Sequence, residues 1–390
     1  MKKKIFFLLL SMDIGGVEKS FLGLLTTIPQ SKYEIHLGLI HKKGKLLKLL
    51  PSYIQIHKID CYDKYWRLIN DPPLLSIKNF FKKGNILEGT ILFILYFYCK
   101  IINNRYYFYK WLLKNESIFH EKFDIAIAFA GPSQAIDYYI CEKIKAPIKC
   151  GWIHFDVTKF GIDKGMTNQL YKKYRKIFIV SETAKQKFDN LFPKLKEKTE
   201  VFYNIVNPQQ IKELAEIGPT FDDNFQGKRI LTVGRLSAEK GQNIAIQALK
   251  NIIEKGFDVK WYFIGDGKLK EECKALAKQL GISDKVVFLG TQTNPYGFMK
   301  DCNIYMQPSR HEGFCITLAE ALCFNNPIVA TNFTGAKEQL SSRRNGIVTD
   351  MSASDITDGI ISALDMPTIT PTNCNTQTDI DKLLSLMTIE

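Results

Sequence analysis

The sequence lacks the cysteine patterns that staple or metallate a small domain. Its nine cysteines, at positions 61, 99, 141, 150, 273, 302, 315, 323 and 374, contain no C-x-x-C and add to an odd number. That argues against a disulfide framework and a structural zinc site, and fits a reducing cytoplasm. A long hydrophobic run is also missing. The longest, Ile91 to Cys99, is far below the roughly 20 residues of a membrane-spanning helix. The opening "MKKKIFFLLLSMDIGG" imitates a signal peptide, but its apolar run stops after Leu10 with no small-residue cleavage site, so a buried first strand is expected. Acidic residues are scarce in one half only: residues 1–205 hold 34 basic against 18 acidic residues, and residues 206–390 hold 19 against 22. A basic half can meet an anionic membrane or nucleic acid, and a solvated lysine-rich face explains the same excess.

Short apolar runs alternate with helical patterns along the whole chain, which argues for parallel sheets covered by helices on both faces. In the first half "KIFFLLL", "EIHLGLI", "DIAIAF", "IKCGWIHF", "KIFIVS" and "TEVFYNIV" read as strands. A second series follows: "KRILTVGRL", "VKWYFIGDG", "KVVFLG", "CNIYMQPS" and "PIVATN". The Pro- and Gly-broken stretch near 207–227 reads as a linker, giving domains at 1–206 and 207–365 and a tail at 366–390 that could pack back on the first. Between 86 and 114, aromatics interleave with Lys100, Arg105, Lys110 and Lys114. That composition suits a helix lying in a headgroup zone, and core packing of a helix hairpin accounts for it equally.

Open sheets of this kind bind ligands at the carboxyl ends of their strands, and the polar motifs of the chain fall there. After one strand come Gly234, Arg235 and Lys240, a pair of cations able to clamp a diphosphate. After the next come Gly265 and Gly267, small enough for a ligand to approach the backbone. "RHEGFCITLAEAL" (310–322) places Glu312, Gly313, Phe314 and Cys315 ahead of a helix expected to start near Phe314, whose amides would face an anion. Glu320 on that helix can accept hydrogen bonds from ribose hydroxyls, while Glu312 can reach the group beyond the phosphates. Near the start, Gly15 and Gly16 make a turn into a helix.

"VGRLSAEKG", "GDG" and the E-x7-E stretch "EGFCITLAE", in this order, resemble the carboxyl-terminal domain of retaining glycosyltransferases of family 4. The resemblance is strong over 228–350 and extends to the first half only through "IGGVEKS", "GWIHFD" and "FYNIVN". It implies the GT-B fold, two Rossmann-like doubly wound parallel-sheet domains facing a central cleft. It implies that Arg235 and Lys240 bind the donor diphosphate, that Glu320 binds ribose, that Glu312 contacts the transferred sugar, and that Phe314 and Cys315 offer backbone contacts. Cys315 stands where many members carry Gly. Gly16 matches a glycine loop near donor and acceptor, and His154 a histidine close to the donor sugar, whereas His36, His41, His57, His120 and His311 are read as ordinary polar residues. The implied activity is transfer of a hexose or N-acetylhexosamine from a nucleotide sugar, with UDP preferred, to a saccharide acceptor. That acceptor would be polyprenyl-linked, in synthesis of a bacterial capsule or O-antigen, at the inner face of the cell membrane. No cofactor and no metal are expected, the "DID" at 379–381 being a chance match to a D-x-D motif, and no nucleic acid is expected as partner. The alternatives are a nucleotide-sugar epimerase of the same fold and a non-catalytic partner subunit.

Overall fold

A computed structural model describes residues 2–59, 67–69, 71–115, 119–159, 161–341, 343–369 and 377–385. The chain divides into two compact units, Met1–Phe202 with Thr378–Glu390, and Tyr203–Gln377.

The first unit is built on a seven-stranded sheet. Its strands are β1 (Lys3–Leu9), β2 (Tyr33–Leu39), β3 (Gln55–Lys58), β4 (Ile125–Gly131), β5 (Ile148–Ile153), β6 (Lys176–Ile179) and β7 (Thr199–Val201). They run parallel in the order β3-β2-β1-β4-β5-β6-β7. Strands apolar on both faces need cover on both faces, and the fully buried "IFFLL" of β1 lies in the middle of the sheet. The second unit has β8 (Lys228–Val233), β9 (Val259–Ile264), β10 (Val286–Gly290), β11 (Ile304–Gln307), β12 (Ile328–Thr331) and β13 (Gly346–Thr349). These run parallel in the order β10-β9-β8-β11-β12-β13. In each sheet the strand order reverses once, between β1 and β4 and between β8 and β11. Crevices open at such reversals, outside the carboxyl ends of the strands.

Several expectations are corrected. Residues 208–217, read as linker, form the helix Pro208–Ile217, capped by the Asn207 side chain on the Gln210 amide at 3.1 Å and burying Ile211 and Ala215. Within "TEVFYNIV" only Thr199–Val201 is strand. Strands β3 and β13 carried no readable signal, because "QIHK" and "GIVT" are four-residue edges. Cys61 and Cys374 lie outside the described residues, and the seven other cysteines are buried.

The stretch 86–113 becomes two helices, Ile86–Ile101 and Tyr106–Leu112. The longer one buries only Gly89, Leu92 and Cys99, and exposes Ile86, Leu87, Phe93, Ile94, Phe97, Tyr98 and Ile101 along one stripe. No described helix is long and apolar enough to cross a membrane. Helix Gln377–Ser385, on which the "DID" match falls, belongs with the first unit, where Lys382 Nζ donates to the Val201 carbonyl at 2.8 Å.

Candidate functional site

Ten of the twelve expected site residues lie in the second unit, nine on the loops that leave β8, β9 and β11 and Glu320 on the helix that follows β11. The first two loops are locked together through backbone. Gly265 has φ +141°, and a Cβ there would sit 2.0 Å from the Gly234 carbonyl oxygen. A Cβ on Gly267 would sit 2.2 Å from that of Leu236. The Leu236 amide donates to the Asp266 carbonyl at 3.0 Å and the Gly234 amide to Ile264 at 2.9 Å. Gly265 and Gly267 are therefore small because two loops cross there, a reason that involves no ligand. The stem of Lys240 passes Gly234, its Cδ 3.6 Å from where a Cβ would sit, an ordinary van der Waals distance. Arg235 projects from this platform as an exposed side chain, while its carbonyl is held by Gln242 Nε2 at 2.8 Å.

Across the strand reversal, the loop after β11 meets this platform. Gly241, at φ +67°, would place a Cβ 2.0 Å from the Pro308 carbonyl oxygen, and the Arg310 amide donates to the Glu239 carbonyl at 2.8 Å. That approach brings Lys240 onto Glu312. Nζ donates to Oε1 in an ion pair whose side chains are 19% and 12% exposed. Burial disfavours the charged amine, but the charge and hydrogen bond of Glu312 outweigh it and raise its pKa. The expected basic pair is thus divided: Arg235 is exposed to solvent and Lys240 is engaged by a carboxylate.

Glu312 is further fixed by a buried polar relay that the sequence reading missed. Tyr305 donates to Gln307 Oε1 at 2.7 Å, Gln307 Nε2 to Ser309 Oγ at 2.9 Å, and Ser309 Oγ to Glu312 Oε1 at 2.6 Å. Thr317 Oγ1 adds a bond to Gln307 Oε1 at 3.2 Å. Buried relays with satisfied members rigidify the groups at their ends. The available signal was "YMQPS", three polar-tipped residues at the end of a strand otherwise closed to water.

The helix behind Glu312 is shorter and later than expected. It spans Ile316–Ala321, starting two residues after Phe314 and running six residues, so it carries less dipole than a long helix would. The cause is Cys315, which precedes it at φ 68°, the left-handed region. Glycine is favoured in that conformation because it has no Cβ to clash. Cys315 is buried, and desolvation pushes its thiol up to about 12. Phe314 is buried, and its carbonyl accepts from Gln339 Nε2; Gly313, beside it, is buried too. Glu320 is 3% exposed, and its Oε1 accepts from the Tyr296 hydroxyl at 2.8 Å. Burial and the Glu320 charge push the Tyr296 pKa far up, so the phenol stays a donor. Tyr296 is a second contributor that the sequence reading missed.

Gly16 and His154 belong to the first unit. Gly16 is the first residue of helix Gly16–Leu25, after extended Gly15. His154 follows β5, its amide on the Gly131 carbonyl at 3.3 Å and its ring packed on Phe129 and Trp152. Both ring nitrogens are buried without a hydrogen-bond partner, and desolvation pushes the imidazole pKa down to about 3. The ring is neutral at pH 7, with one N–H and one lone pair to offer.

Residues 221–379 match the family described as Glycosyl transferases group 1. An uncharacterized glycosyltransferase of Methanocaldococcus jannaschii is 32% identical over 183 residues, 45% of this chain and 44% of that protein. The N-acetylgalactosamine-N,N'-diacetylbacillosaminyl-diphospho-undecaprenol 4-alpha-N-acetylgalactosaminyltransferase of Campylobacter jejuni is 30% identical over 191 residues, 49% of this chain and 50% of that protein. The chain therefore spans about half the length of the curated relatives it matches. Among solved structures, Anabaena Alr3699/HepE in complex with UDP and glucose superposes with a TM-score of 0.63 at 18% identity, covering 93% of this chain and 90% of that one. At that identity the likeness shows the fold, the two parallel-sheet units of GT-B.

Proposed function

We propose, from the match of residues 221–379 to the glycosyl transferases group 1 family, a retaining glycosyltransferase that uses a nucleotide diphosphate sugar. The observation that carries the reading is the meeting of the β8 and β11 loops at the strand reversal, where the Lys240–Glu312 pair forms on the loop that also carries exposed Arg235, ahead of the helix that bears Glu320. Arg235 offers a fork of donors to a diphosphate. Lys240 adds a charge whose position is fixed by Glu312, so charge growing on the leaving diphosphate meets a preorganised cation. Glu320, held by Tyr296, is the acceptor for ribose hydroxyls. Glu312 faces the sugar.

UDP is the preferred base carrier, supported by the UDP in the Anabaena structure. A lipid-linked saccharide acceptor is supported by the undecaprenol substrate in the name of the Campylobacter relative. The leaving phosphate takes the acceptor proton on the same face, so no protein nucleophile and no metal are invoked. The first unit would dock on an anionic membrane. Its excess basic charge and the apolar stripe of helix Ile86–Ile101 support this, with Lys82, Lys83, Lys100, Lys110 and Lys114 exposed in the same region.

The test is transfer from UDP-hexoses and UDP-N-acetylhexosamines to a polyprenyl diphosphate-linked saccharide, with the product anomer read by NMR. Arg235→Ala is the informative variant, because truncating Lys240 would strand a partly buried carboxylate and cost about 3 kcal/mol of stability. The expected product is axial-retained, with transfer at least ~100-fold slower in folded Arg235→Ala, in the range of a lost transition-state donor. Inverted product, or unchanged turnover in Arg235→Ala, contradicts the proposal.

A further inference from the structure

On strands β2 and β3 of the first sheet and the segment before β4, two histidines and a carboxylate converge. His36 is on β2, His57 on the edge strand β3, and Glu121 on the segment that leads into β4. His36 Nδ1 lies 2.9 Å from His57 Nε2 and 3.8 Å from Glu121 Oε2, and one donor atom from each residue falls within 4.8 Å of the others. Two nitrogens on one tetrahedral zinc, at the usual bond lengths, are about 3.3 Å apart. The histidine pair is already near that spacing.

The surroundings select which atoms face inward. His36 Nε2 lies 3.0 Å from Glu34 Oε1, which also accepts from Gln55 Nε2 at 2.7 Å. Glu34, an acceptor, requires the proton on Nε2 and leaves the lone pair on Nδ1, aimed at His57 and Glu121. A ligating histidine typically hands its other N–H to a carboxylate in this way. Lys4 Nζ holds Glu121 through Oε1 at 2.6 Å, leaving Oε2 on the histidine side. Phe123 packs edge-on to His36 at 5.0 Å and Phe119 edge-on to His57 at 5.2 Å, so the rings are walled by apolar side chains.

We propose that His36, His57 and Glu121 bind a divalent transition metal, zinc by the character of the donor set, with water in the fourth position. Glu34 is the positioning residue that sets the His36 tautomer. Bound metal joins the short edge strand β3 and the 119–123 segment to β2, which stabilises that edge of the sheet. This site is independent of the sugar-transfer reading.

The experiment uses the full chain after chelator treatment. Calorimetric titration with Zn2+ is expected to show one site per chain, with a rise in Tm that excess chelator reverses. Co2+ in its place is expected to give tetrahedral d–d absorption without thiolate charge-transfer bands. Glu121→Gln and His57→Ala are expected to abolish binding, and Glu34→Gln to weaken it about 10- to 100-fold. Glu121 is partly exposed, so its variant keeps the test valid even where the histidine variant folds poorly. Absence of a one-to-one site, a thiolate spectrum, or equal Zn2+ affinity in folded Glu121→Gln overturns the proposal. The histidines would then share a proton and nothing more.

Discussion

Cys315 shows how a single dihedral shapes the site. A left-handed φ brings Cβ against the following carbonyl, a cost that glycine escapes and a β-branched residue feels most. Cys315→Gly gives up a buried thiol but relieves that clash, so its net change in stability is expected to stay within about 1 kcal/mol. Cys315→Val is expected to lose about 1–3 kcal/mol, as strained non-glycine positions do. Equilibrium denaturation of the two variants checks the order, and equal losses would mean that the position tolerates any side chain. At this scale the sequence was partly legible. Arg235, Lys240, Glu312 and Glu320 stand out because charged residues at strand ends are conspicuous. The pairing of Lys240 with Glu312, 72 positions apart, is a tertiary fact set by the approach of Gly241 to Pro308. Tyr296, Gln307 and Ser309 were unreadable for the same reason: each acts only through the partner that the fold supplies.

Among the elements, the strands of the two sheets were readable because parallel strands are continuous apolar runs. The exceptions were four-residue edges, where half the apolar signal disappears. Helix Pro208–Ile217 was hidden by the breakers on either side of it, since Pro208 is an accepted first helical residue and Gly218 its end. Helix Ile86–Ile101 reads differently again. Composition allowed a core hairpin, and burial instead leaves a stripe of large apolar side chains exposed. Replacing Leu87, Ile94 and Ile101 together by Ser touches only exposed positions, each expected to shift stability by no more than about 0.5 kcal/mol. Sedimentation with phosphatidylglycerol vesicles across a salt series is expected to show the variant losing the salt-resistant part of binding. The lysine-driven part, about 1 kcal/mol per residue near the surface, should remain at low salt. Identical salt profiles for the two proteins would remove this helix from membrane contact.

At the scale of the molecule, the fold class was legible from the two alternating series of strands and helices, and the resemblance of residues 228–350 pointed to the family that the comparison finds over 221–379. The first half offered less, because its basic excess and its aromatic stretch are surface composition and not a motif. The account rests on one claim, that the second unit holds a nucleotide sugar at the β8 and β11 strand ends. The most direct measurement is a thermal-shift titration with UDP, GDP and ADP sugars of the unmodified chain, Arg235→Ala and Glu320→Gln, the last keeping an acceptor for Tyr296. A ligand at 100 times its Kd stabilises by about 2.7 kcal/mol. The account predicts a saturable rise in Tm with a UDP sugar, shifted to higher concentrations in both variants. No rise with any nucleotide sugar, or the same titration curve in all three proteins, would contradict it.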